Sequence, residues 1–267
     1  MKQRILLILL TMIMTASCVD PVGRSKYLVM AYTDAPWTLH TKADCSKGKA
    51  LPDLAWISEA MSGYSDIDQS IYMDLSAAIF SGQEHHIYWA GSDVHRQLSE
   101  KHNDIPPSPL HGFGTVAREM AGGHYFVKDF VSLEVTSDQD FDEQHPAGTS
   151  LLDILHFGTN TPYRVLRNNY QWKFDTDVLI VDIVPDGVVA PAEFEAFRKK
   201  QLFNTYKCGK DVRPEDMTIL GFHVLSFDKL PEPVGPRNIH IRMTADDGTV
   251  YEFDTVLTFE KVTIVAK

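Results

Sequence analysis

After its first twenty residues, the chain has no apolar run approaching the roughly twenty residues that a membrane-spanning helix needs. It also lacks an excess of positive charge. Twenty-five Lys and Arg stand against 36 Asp and Glu, for a net charge of −11. Such a chain has no electrostatic reason to seek nucleic acid or anionic headgroups. Cysteine is scarce: there are three, at 18, 45 and 208, and none forms a Cys-x-x-Cys pair of the redox or zinc type. There is no G-x-S-x-G elbow for a serine nucleophile and no H-E-x-x-H zinc helix. No repeat of roughly 20–50 residues suggests a solenoid. No cofactor motif is present.

The N-terminus is informative. Lys2 and Arg4 precede an apolar run from Ile5 to Met14, followed by Thr15-Ala16-Ser17-Cys18. A charged start, a short apolar stretch and small residues describe a secretory signal peptide. Small residues directly before Cys18 resemble the bacterial lipobox, in which that Cys is lipidated and becomes the first mature residue. Thr15 stands where the usual Leu would be. The alternative is ordinary cleavage near Thr15–Ser17, leaving Cys18 a plain cysteine. The lipobox reading divides the chain into a signal peptide (1–17), a lipidated Cys18 with its tether (18–25), and one globular region (26–267). An internal boundary is possible near 103–127, around the Pro- and Gly-rich NDIPPSPLHGFG. Cleavage removes Lys2 and Arg4 and takes the net charge to −13. The lipid on Cys18 is then the membrane anchor, and two or three acyl chains hold where one is marginal. Cys45 and Cys208 are left as a pair in an oxidising compartment. Their disulfide would close a loop of about 160 residues, worth up to ~5 kcal/mol in the chain-entropy account. The alternative is two free thiols.

The globular region reads as α+β and predominantly antiparallel β, with a sandwich-like C-terminal part and a few short helices. Expected strands are 26–32, 128–137, 177–184 and 218–226, and less distinctly the stretches around SIYMDL and HHIYWAG. In 128–137, Val131, Leu133 and Val135 are expected to share the buried face. Residues 38–49 read as loop. Helices are expected from Pro52-Asp53 to Gly63, over 92–102 on the surface, as a short turn over 150–155, and after Pro191. The C-terminal part alternates strongly: 238–245, a turn at Asp246-Asp247-Gly248, a return over 249–253, and a further strand over 255–265.

Within VSLEVTSDQDFDEQHPAGTSLLDIL, residues Thr136, Ser137, Asp138, Asp140, Phe141, Asp142, His145, Pro146, Ala147, Gly148, Ser150 and Leu151 fit one pattern: a strand ending in Thr-Ser, a D-x-D-F-D turn, then H-P-A-G-x-S-L. This resembles a segment recurring in uncharacterised envelope lipoproteins of Bacteroidota. The Leu230, Pro231 and Pro233 linker and the hairpin after it resemble that family's tail. The resemblance implies a lipid-anchored, β-rich envelope protein, with outer-membrane placement and either face open; it implies no reaction. Acidic residues after the Cys, associated there with surface export, are weakly represented by Val19-Asp20-Pro21-Val22.

Candidate chemistry is sparse. Asp138, Asp140 and Asp142 begin like a calcium loop, but Glu143 replaces the needed Gly and Thr149 the bidentate Glu. His85, Asp93 and His95, beside His86, offer imidazoles and a carboxylate for a metal, set against ordinary surface or structural histidines. Four Trp and ten Tyr could include a glycan-stacking platform, though most should be core. The favoured function is a non-enzymatic envelope protein that binds a protein or glycan partner; the alternative is a secreted hydrolase with a dispersed site. The anchor is open to direct test. Cys18→Ala should move the protein from the membrane to the soluble fraction on fractionation, and a variant that stays with the membrane refutes the lipid anchor.

Overall fold

A computed structural model describes residues 27–41, 69–75, 79, 84–104, 124–159, 161–167 and 205–259. The alternating C-terminal residues pair as expected. Strand β10 (Pro236–Ala245) buries Ile239, Ile241, Met243 and Ala245 and turns their neighbours outward. Gly248, at φ +84°, closes the turn into β11 (Val250–Thr258), where a side chain would be strained. Lys128 braces that turn on Asp247 Oδ2 at 2.8 Å, which holds the Asp247 carboxyl well below its usual range. The return is one continuous strand through Thr258 rather than two, because every residue from 250 to 258 pairs with β10. Strand β6 (Phe130–Ser137) pairs β10 on its other edge, giving the order β11-β10-β6.

Phe130 and Ser132 oppose Ala245 and Thr244, so Val131 has no partner and forms a bulge. The extra residue shifts the alternation by one. Phe130, Leu133 and Val135 face inward, while Val131 is 44% exposed, contrary to the expected face.

The second sheet has five antiparallel strands: β2 (Thr38–Thr41), β3 (Gln69–Asp74), β7 (Leu155–Thr159), β8 (Thr205–Cys208) and β9 (Phe222–Phe227), in the order β2-β3-β9-β7-β8. Residues 38–41 are therefore strand, not loop, held in register against Ile71–Asp74. Strand β9 begins at Phe222 rather than at 218, because Ile219 takes φ +55° and breaks the extended backbone. Residues 151–154 form turns rather than a helix and lead directly into β7. Ile71, Met73, Leu155, Phe157, Leu225 and Phe227 of this sheet share one core with Phe130, Leu133, Val135, Ile239, Ile241 and Met243 of the first. The two sheets thus pack as a sandwich. His223 lies in this core, between Trp37 (5.0 Å) and Phe157 (5.4 Å), and burial pushes its pKa down to about 3.

A third, small sheet joins β4 (Ile87–Trp89), β1 (Ala31–Thr33) and β5 (Tyr125–Phe126), with β1 and β5 parallel. It has its own apolar cluster, to which helix α2 (Pro162–Arg167) contributes Val165 and Leu166. Helix α1 (Asp93–Lys101) matches the expected helix, and Ser92 Oγ caps the His95 N–H. It is not wholly a surface element: His95 and Ser99 are fully buried. The expected helices at 52–63 and after 191, the strand at 177–184 and most of the boundary at 103–127 lie outside the described residues.

The three sheets meet at Asp129. Its Oδ2 lies 2.9 Å from His102 Nε2 and 2.6 Å from Lys101 Nζ, and its Oδ1 accepts the Ile219 N–H at 3.1 Å. Tyr32, in the small sheet, places its hydroxyl 3.2 Å from His102 Nδ1. Lys101 continues to Asp246 at 2.8 Å in the C-terminal hairpin. Burial alone would raise the Asp129 carboxyl, but hydrogen bonds from His102, Lys101 and Ile219 outweigh it and hold the pKa at about 2. A carboxyl depressed by folding adds stability above its unfolded value of 3.8, and that stability is lost as pH falls toward 2. Asp129→Asn should therefore cost about 2 kcal/mol at neutral pH. In urea titrations, its deficit relative to the parent should hold steady above roughly pH 5 and shrink between roughly pH 4 and 2.

A candidate site: an acidic groove flanked by histidine–aspartate pairs

Two loops emerge at one end of the sandwich. The first follows β6. Phe141 turns fully into the core, and its N–H donates to the His145 carbonyl at 2.8 Å. Asp142 then accepts the N–H groups of Gln144 (2.8 Å) and His145 (2.9 Å), an Asx turn that shapes the loop. The second follows β9. Phe227 is buried against Phe141 and Phe259, with ring centroids 5.7 and 5.4 Å away, and Asp228 comes next. The loops are stitched together by the Glu232 N–H on the Phe141 carbonyl at 2.6 Å. Between them runs an open groove of about 620 Å³, lined by Asp142, Glu143, Gln144, Asp228, Lys229, Leu230 and Glu232. Four carboxylates face one lysine, so the groove is a region of negative potential.

Two histidines flank it. His145 is nearly buried, with Nδ1 2.6 Å from Asp142 Oδ1 and Nε2 3.2 Å from Asp153 Oδ1. Burial works against the Asp142 charge, but the His145 ring and two backbone N–H groups prevail and lower its pKa. His156, on β7, places Nδ1 2.8 Å from Asp228 Oδ2 and stacks on Tyr206 at 4.9 Å with the rings 5° from parallel.

Next to His156 in the sheet is Cys208, its register partner on β8. Cys208 is a free thiol, partly exposed, with Sγ 3.5 Å from the Leu152 carbonyl and 3.7 Å from that of Asp153. Cys208 thus carries no disulfide among the described residues; Cys45, its expected partner, lies outside them, as does Cys18. Gly209 makes the close approach possible, since a Cβ there would come within 2.7 Å of the Leu152 carbonyl oxygen.

The residues first suggested for a metal are placed differently. His95 is fully buried, with Nε2 2.8 Å from the Val29 carbonyl and Nδ1 3.4 Å from Ser99 Oγ. Asp93 pairs with Arg96 on the exposed face of α1. Among the described residues, no group of three His, Cys, Asp or Glu side chains is arranged to hold a metal ion, so the structure does not gather His85, Asp93 and His95 into a ligand set. Asp138, Asp140 and Asp142 also diverge. Asp138 accepts from Asn238 Nδ2 at 2.5 Å and Asp140 from the Ala147 N–H at 2.8 Å, so the three carboxylates fold the loop. Of the tryptophans, Trp37 is buried, while Trp89 is 57% exposed and meets His124 edge-on at 5.5 Å.

Sequence reasoning named His145 only as part of the resembling segment and did not single out Asp153, His156 or Asp228. His145 and Asp153 meet within one local loop, while the signal for His156 and Asp228 is the pairing of β7 with β8 and β9, which joins residues more than fifty positions apart.

Comparison with protein-family models, curated proteins and solved structures found no match. The groove is therefore judged on its own chemistry. Asp142→Ala leaves the His145 ring and two N–H groups without their acceptor and should lower the unfolding free energy by about 1–3 kcal/mol in urea titration. An unchanged midpoint would show that Asp142 does not hold the loop.

Proposed function

We propose that this chain is a lipid-anchored cell-envelope protein that catalyses no reaction of its own and uses the acidic groove to bind a positively charged segment of a partner protein. Lipid on Cys18 would hold it at the outer membrane, on either face. The observation that carries the reading is positional. The D-x-D-F-D stretch that resembles Bacteroidota lipoproteins supplies one wall of the groove, through Asp142, and the Leu-Pro-x-Pro linker supplies the other, through Leu230 and Glu232. Both stretches of the resemblance in this region thus converge on one surface whose charge selects cations.

A glycan partner is the second reading, and exposed Trp89 supports it. Its indole packs against His124 but presents most of its surface to solvent, as a sugar-stacking residue would.

The groove reading is tested with a lysine-rich peptide in calorimetry at low salt. Asp228→Asn/Glu232→Gln should weaken binding about tenfold. Glu134→Gln/Glu252→Gln removes the same charge from the outer face of the other sheet and should change it little. Equal losses in the two double variants would mean that only net charge attracts the peptide, and the groove would not be the site.

A further inference from the structure

We propose that Cys208, His156 and Asp228 form a thiol–disulfide exchange site that accepts a positively charged disulfide. This goes beyond partner recognition and draws on the groove only for charge selectivity. His156 and Cys208 are directly paired across β7 and β8, so their side chains leave the same face of the sheet with Cβ atoms roughly 4.5–5.5 Å apart. Asp228 sits 2.8 Å from His156 Nδ1. A carboxylate can only accept, so Nδ1 carries the proton there and Nε2 presents its lone pair. Tyr206, parallel to the ring, fixes its plane. Cys208 is partly exposed, and its Sγ touches only backbone carbonyls among the contacts described for it. Asp228, which orients the imidazole, also lines the groove with Asp142, Glu143 and Glu232. A disulfide that approaches through that groove is favoured if it is cationic.

The exchange is balanced. His156 Nε2 takes the Cys208 proton, and the thiolate attacks one sulfur of the incoming disulfide. The S–S bond breaks as the new one forms, and the departing thiolate takes the proton back from the imidazolium. One disulfide is consumed and one mixed disulfide made, with no other oxidant. Asp228 acts through His156 and is a positioning residue.

Cystamine, a dicationic disulfide, and dithiodiglycolate, a dianionic one, test this on the full-length protein in non-ionic detergent, with modification of Cys208 followed by peptide mass mapping. At low salt, cystamine should modify Cys208 at least about tenfold faster, and the preference should shrink at about 1 M salt. His156→Gln should slow the cystamine reaction by about tenfold or more. Asp228→Asn should slow it less and reduce the charge preference. In concentrated urea all three proteins should react alike, which ties the differences to the folded site rather than to the thiol itself. Recovery of Cys208 in a disulfide with Cys45, an unchanged rate in His156→Gln, or equal rates for the two reagents would each overturn the proposal. Peptide binding in the groove is read without the thiol, so failure here leaves that reading standing.

Discussion

The described fold depends on one carboxylate. Asp129 sits between β5 and β6 and joins parts of the chain that no strand ladder connects. Through His102 and Tyr32 it reaches the small sheet, and through Lys101 and Asp246 it reaches the C-terminal hairpin. Its backbone carbonyl also accepts the Asp246 N–H at 2.8 Å. Through the Ile219 N–H it fixes the entry to β9. Ile219 is β-branched and adopts φ +55°, a conformation that costs about 1–3 kcal/mol and persists only where surroundings enforce it. Asp129 on the amide side and the Thr161 hydroxyl on the carbonyl side supply that enforcement. Burying a carboxylate is costly unless its lone pairs are satisfied. Here three donors converge on it, so the desolvation is offset and the charge retained.

The groove follows from a second local rule. Phe141-Asp142 and Phe227-Asp228 each place a buried ring before a carboxylate, mostly buried in Asp142 and exposed in Asp228. In each pair the ring enters the aromatic cluster completed by Phe259, and the following residue turns outward. The cluster is rigid because its rings meet both edge-to-face and stacked, and such contacts contribute beyond area alone. The acids at the groove are therefore held by the core beneath them. That is the arrangement a recognition surface needs if it is to lose little entropy on binding.

Much of this architecture could be read from the sequence, and the failures have physical causes. The alternation of 238–245 and the Asp-Asp-Gly turn located the hairpin, because a strand with one buried face writes its period into the residues. The face of Val131 was misassigned because a bulge inserts one residue without changing composition. Thr38–Thr41 reads as loop because Thr-Leu-His-Thr carries little apolar content; its pairing with β3 comes from the partner strand. Residues 150–155 have helical spacing, yet Leu151, Ile154 and Leu155 are buried by a turn entering a strand. The loop at 138–145 was visible as an acidic turn. The site it helps form was not, since His156, Cys208 and Asp228 are gathered only by long-range strand order.

The histidines show why local clustering misleads. His85, His86 and His95 are close in sequence and suggest a metal, but the fold employs its histidines differently. His40, His86, His102, His145, His156 and His240 each lie against an aspartate: Asp74, Asp34, Asp129, Asp142, Asp228 and Asp254. In an acidic protein, each such pair satisfies a carboxylate without adding a permanent positive charge. Two of the six are closed arrangements. His102 has Tyr32 and Asp129 on its two nitrogens, and His145 has Asp142 and Asp153. His156 is held on one nitrogen by Asp228, which lines the groove, and its register partner across the sheet is a thiol, Cys208. An imidazole held on one side by a carboxylate and set beside a thiol in the sheet is suited to proton transfer, and that neighbour, rather than the number of histidines, separates it from the rest.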